Sequence, residues 1–148
     1  MSPPSGSPLQ SSHRPSESDN ASFIDAAGSG NIFAVTAFLE KHSPRLVDIR
    51  DMAGNTALIQ ACFRGQRSVA LFLLDKGADV NARNHSGNTA LMAAAWNNHH
   101  EVVELLLDRQ ANPSLVNHAR FSAFELAQMH DCTEAAMFLV SKGAGVTG

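Results

Sequence analysis

The pentapeptide Gly54-Asn55-Thr56-Ala57-Leu58 returns in the same order as Gly87-Asn88-Thr89-Ala90-Leu91, a period of 33 residues. No other feature constrains the fold as tightly, because a fixed period of this length marks one structural unit used repeatedly. Laying 51–83 on 84–116 leaves eleven identical positions, among them Ala61/Ala94, Val69/Val102, Leu73/Leu106 and Asp75/Asp108. A third copy keeps the chemistry with fewer identical letters: Ser122-Ala123-Phe124, Ala127, Leu139-Val140 and Gly143-Ala144.

Each unit reads as helix, turn, helix, connector. Asn55-Thr56 offers a side-chain oxygen where a helix starts, and Ala57, Leu58 and Ala61 share a face at helical spacing. Gly65 breaks that run. Val69, Leu73 and Leu74 form the face of the next helix, and Gly77 is placed for a left-handed C-cap. Both helices are too short to persist alone in water, so stability has to come from stacking units on one another. Upstream, Phe23 to Glu40 gives a helix, the Gly28-Ser29-Gly30 turn and a second helix. This first unit is two residues longer within Lys41–Leu46 and lacks the pentapeptide, as expected of a terminal copy. Residues 1–20 hold seven serines, four prolines and one leucine, too little apolar surface to offset the entropy of ordering. They are expected to be a disordered tail, with the folded domain at 21–146 divided near 21–50, 51–83, 84–116 and 117–146.

Unit length, the Thr-Ala-Leu-x-x-Ala start and the Leu-Leu-x-x-Gly-Ala-Asp-Val-Asn end resemble an ankyrin repeat. The resemblance covers about residues 22–146. It implies an all-α solenoid of stacked helix-turn-helix units joined by β-hairpin-like turns, and a non-catalytic protein-interaction module. Three departures stand out. The family's Thr-Pro-Leu-His start is here Thr56-Ala57-Leu58-Ile59, Thr89-Ala90-Leu91-Met92 and Ser122-Ala123-Phe124-Glu125, without the proline or the histidine that ties neighbouring turns together. Gln110 replaces the C-cap glycine, and Arg120 stands where the last turn expects glycine. Modest stability is the expected result.

Charge and motifs exclude several functions. A formal net charge of −3 provides no basic field for nucleic acid or anionic membrane. No run approaches a membrane span and the N-terminus lacks a secretory pattern, so the expected compartment is cytoplasmic. Cys62 and Cys132 fall two units apart, roughly 20 Å if units stack at a helix diameter each, and read as free thiols. His99-His100 are adjacent, and adjacent helical residues diverge by about 100° instead of converging on one ion. No catalytic constellation, phosphate loop, cofactor motif or metal motif is present, and neither catalysis nor a cofactor is expected.

The candidate site is a stripe. Phe63, Trp96 and Met129 recur at one phase of the repeat, with Arg64, Asn97 and His130 beside them. By the resemblance, that phase ends the inner helix and faces the concave groove, together with the turn-tip residues Met52, Asn55, His85, Ser86, Asn88, His118 and Phe121. Two readings stay open: the large side chains close the top of the core, or they form an exposed anchor for a partner. The expected function is an adaptor or inhibitor that holds another protein or a peptide in this groove. The alternative is a structural or self-associating unit. The chain is expected to be a monomer, with weak self-association possible at the C-terminal cap, because helix 134–140 has few polar residues to face water.

Overall fold

The computed structural model describes residues 14–142, among which eight α-helices and one short 3₁₀ turn follow one another in the expected order. The helices pair as α1 (Glu17–Gly28) with α2 (Ile32–Lys41), α3 (Ala57–Phe63) with α4 (Arg67–Asp75), α5 (Ala90–Trp96) with α6 (His100–Asp108), and α7 (Ala123–Met129) with α8 (Thr133–Ser141). The 3₁₀ turn over Pro44–Asp48 lies where the longer first unit crosses to the second. Inner helices α1, α3, α5 and α7 pack on one another in succession, and so do outer helices α4, α6 and α8.

Local chemistry sets the starts. Thr56 and Thr89 each accept a hydrogen bond from the backbone N–H three residues on, and both are buried with that bond made. Ser122 does the same for Glu125, whose carboxylate returns to the Ser122 N–H in a capping box. The inner helices α3, α5 and α7 have only seven residues apiece, two turns, and depend on their neighbours. The core is correspondingly repetitive: Ala61, Ala94 and Ala127 let the inner helices approach closely, and Leu73, Leu106 and Leu139 sit fully buried beneath the outer ones.

One expected boundary is corrected. Helix α1 begins at Glu17, inside the stretch assigned to the tail, because Ser16 accepts from the Asp19 N–H while the Asp19 carboxylate accepts from Ser16. A capping box starts a helix irrespective of the serine-rich composition around it. The earlier part of the expected tail, residues 1–13, and Gly143-Ala144 of the last copy lie outside the described residues.

The turns require left-handed backbone at fixed phases, and the chain meets this need in two ways. Through residue 87 the positions with positive φ are glycines, Gly65 (φ 74°) and Gly87 (φ 81°) among them. Beyond it, among the described residues, they are Asn98, Gln110, Arg120 and Asp131. Arg120 takes φ 76° and the last turn keeps the geometry of the others, with its N–H donating to the Asn117 carbonyl as Gly87 donates to Asn84. The turn tips are closed loops; the described residues contain one isolated antiparallel bridge, Val116–Ser122, and no longer strand.

Candidate functional site

The turn tips are held in register by a ladder of asparagine side chains and backbone groups. Within each tip the first residue bonds the fifth: the Asp51, Asn84 and Asn117 N–H groups donate to the carbonyls of Asn55, Asn88 and Phe121 at 3.0 Å. The side chain of that first residue then accepts two backbone N–H groups, so Asn84 Oδ1 takes Ser86 and Asn88, and Asn117 Oδ1 takes Ala119 and Phe121. Its amide nitrogen reaches back one unit, Asn84 Nδ2 to Asn55 Oδ1 and Asn117 Nδ2 to Asn88 Oδ1, both at 2.9 Å. Arginines add a parallel rail. Arg50 donates to the carbonyls of Gly54 and Arg83, and Arg83 to those of Gly87 and Val116.

A second set of bonds ties the helix ends together. Gln66, His99 and Cys132, spaced at the repeat period, each reach the carbonyl that ends the preceding inner helix: Gly28, Phe63 and Trp96. His99 is therefore a half-buried interunit contact. Asn97 donates to the Phe63 carbonyl at 3.0 Å, and Asn98 bridges to Glu134 and the Ala135 N–H. That amide donation holds the Glu134 carboxyl below its ordinary range. Burial pushes the thiols of Cys62 and Cys132 up; both are free and buried.

Between the tips and the inner helices runs a concave cleft of ≈ 480 Å³. Its floor is Ile59 and Met92, its tip side is Asn55, Asn84, Asn88 and Asn117, and its far lip is Phe63 and Trp96. None of the residues lining it is charged. Phe63 is 43% and Trp96 39% exposed, and neither belongs to the buried core cluster; Met129, 55% exposed, continues the stripe beyond the cleft. The Trp96 indole lies against the His130 ring at 3.6 Å between centroids, the two planes tilted by 45°.

The expected site residues thus divide. Asn55, Asn88, Phe63 and Trp96 meet in the cleft. Met52, Arg64, Ser86 and His130 are exposed but outside its lining. His85 and His118, both exposed, lay their rings on Gly54 and Gly87, so close that a Cβ there would stand 2.5 Å and 2.8 Å from the ring carbons, and so also brace the tips. Asn97 is occupied as a helix-end tie, and Phe121 packs half-buried against the core. The sequence reading missed Asn84, Asn117, Gln60 and the cleft floor. Recurrence of Asn55/Asn88, Arg50/Arg83 and Asn84/Asn117 at 33 residues was the signal that would have found the ladder.

Family models for ankyrin repeats match the chain twice, a three-copy model over residues 12–84 and a many-copy model over 68–107. The chain is an ankyrin-repeat protein. A comparison with curated proteins finds no match. Ankyrin repeats are generally protein–protein interaction modules and typically non-catalytic. Among the described residues of this ankyrin-repeat protein, no three His, Cys, Asp or Glu side chains gather as a metal-ligand set, and no helix is long and apolar enough to cross a membrane.

Proposed function

We propose that this chain is an adaptor or inhibitor that holds a protein or peptide partner in the concave cleft and against the adjoining turn tips. The observation that supports this reading is the cleft itself: uncharged, lined by aromatic and amide side chains, and lipped by Phe63 and Trp96, large apolar side chains left in water. Capture from a host extract with wild type and with Trp96→Ala, each verified as folded, tests it. Trp96→Ala is expected to weaken retention of the partner by about 2 kcal/mol or more, roughly 30-fold. Equal retention by the two proteins would overturn the groove reading.

A second reading rests on the outer end of the last unit, where Met137 is 66% and Val140 47% exposed beside a shallow depression of ≈ 550 Å³. The corresponding residue to Met137 in the third unit is Glu104, a charged residue, so this end is more apolar than its neighbour at that position. Self-association through this face predicts a molar mass that rises with concentration and falls back in Met137→Lys.

A further inference from the structure

The cleft carries information about the backbone conformation of what it holds. Orientation of the amides follows from the ladder without ambiguity. Asn84 Oδ1 is fixed by two backbone N–H donors, so its remaining atom is the amide nitrogen, and the atom it meets on Asn55 has to be the oxygen. The Asn55 Nδ2 group is then turned away from the ladder. The same steps through Asn117 turn out the Nδ2 group of Asn88. Among the described residues both side chains take part in the ladder only through Oδ1, leaving each Nδ2 free to donate; both residues are half-buried, and both line the cleft. The cleft therefore presents a pair of pre-aimed donors one unit apart, beside a pair of exposed aromatic rings, Phe63 and Trp96, one unit apart.

Inner helices packed against one another stand about 8–10 Å apart, so side chains at one phase of successive units are expected to recur at about that interval. A partner helix uses its own carbonyls internally and leaves such donors unmet. A β-strand turns equivalent carbonyls to one side every two residues, about 6.6–6.8 Å, out of step with the units. A polyproline II segment repeats every three residues at about 3.1 Å each, about 9.3 Å, with its carbonyls unpaired and outward. Its prolines recur at the same interval and suit aromatic faces.

Resting on the groove reading above, we propose that the occupant is an uncharged, proline-rich partner segment in polyproline II form. Carbonyls three residues apart accept from Asn55 and Asn88, and prolines at the same interval lie on Phe63 and Trp96. An uncharged lining favours an uncharged segment, since a charge placed there gains no counter-charge for its lost hydration.

Trp96 fluorescence titrations of the full chain with capped synthetic peptides of about twelve residues test this, a length that crosses three units at about 3.1 Å per residue. The probes are an uncharged peptide with proline at every third position, the same peptide with D-proline, an alanine-rich helical peptide and a threonine/valine peptide. The L-proline peptide is expected to bind at least tenfold tighter than the others. Asn55→Asp and Asn88→Asp each keep the oxygen that accepts from the ladder while replacing the outward donor with an acceptor. Each is expected to weaken the L-proline peptide at least fivefold with an unchanged urea midpoint. Binding of that peptide unaffected by both substitutions overturns the proposal. Preference for the helical or threonine/valine peptide, abolished by Trp96→Ala, overturns it while leaving the groove reading intact. No peptide binding, together with a captured partner indifferent to Trp96→Ala, overturns both. The chain's own Pro3, Pro4 and Pro8 are the rival occupant: a tenfold gain in peptide affinity on removing residues 1–13 would assign the cleft to them and overturn assignment to a partner.

Discussion

Asn84 is the residue through which the ladder is most directly tested. Its side chain makes three hydrogen bonds: Oδ1 accepts from Ser86 and Asn88 at 3.0 Å, and Nδ2 donates to Asn55 at 2.9 Å. In Asn84→Ala the exposed Ser86 N–H finds water readily, whereas the half-buried Asn88 N–H and Asn55 oxygen do so less well. Assigning about 0.5 kcal/mol to the first and about 0.5–1 to each of the others gives a loss of about 2 kcal/mol. Asn84→Asp should behave differently. The carboxylate keeps both backbone donors, as Asp51 does in the preceding tip, where Oδ1 accepts from Ala53 and Asn55 at 2.9 Å. Its second oxygen faces Asn55, whose amide turns over to donate Nδ2, so stability should stay within about 0.5 kcal/mol of wild type. Urea denaturation followed by far-ultraviolet circular dichroism measures both. The turnover has a further consequence: it withdraws the Asn55 donor from the cleft, and Asn84→Asp should weaken the proline-rich peptide as much as Asn55→Asp does. An Asn84→Ala protein as stable as wild type, or an Asn84→Asp protein as unstable as Asn84→Ala, would refute the reasoning.

Three further outcomes are expected. Trp96 is the only tryptophan and is 39% exposed, so its emission should be that of a partly solvated indole, open to acrylamide; Trp96→Ala should cost about 2 kcal/mol, below the 3–5 typical of a fully buried aromatic, as measured in urea. Gly87→Ala should cost more than the roughly 1–2 kcal/mol of a left-handed alanine, because its Cβ would stand 3.0 Å from the His118 backbone nitrogen, which donates to Ser86; thermal unfolding measures the loss. Burial raises the folded-state pKa of Cys62, so the unfolded chain releases that proton first: stability is full below the ordinary thiol value of 9.0 and should fall as pH rises above it, a slope that Cys62→Ala reduces in pH-dependent urea titrations.

Repetition explains what the sequence made legible. Apolar phases such as Leu73/Leu106/Leu139 recur because every unit buries the same face, and an identical demand writes an identical letter. The exposed stripe of Phe63, Trp96 and Met129 was visible for the same reason, although exposure itself was not, since a large side chain at a fixed phase suits a core or a groove equally well. Polar contacts were harder to foresee. Asn55 and Asn88 are conspicuous in the repeated pentapeptide, yet their role depends on Asn84 and Asn117 one unit on, and a bond between units is not a property of either unit's letters. Ser16–Asp19 was overlooked because a local capping signal lay inside a stretch whose composition argued for disorder. His85 and His118 were read as tip contacts for a partner; that each lies on the glycine of the preceding tip is a matter of distance, which spacing alone does not give.

The change from glycine to larger residues at the left-handed positions gives the array a direction. Each such turn is equivalent in geometry, but Gln110 and Arg120 hold at about 1–2 kcal/mol what glycine holds freely, and Asn98 and Asp131 carry a smaller version of the same strain. Units that touch only their neighbours cannot spread that strain along the stack. A chain drawn out by its two ends should therefore unravel from the C-terminal side, unit by unit, while the glycine-turned half still stands. A segment lying across Asn55 and Asn88 would span the seam between the resistant and the yielding halves, and its grip would act as a splint that raises the force at which the second half lets go.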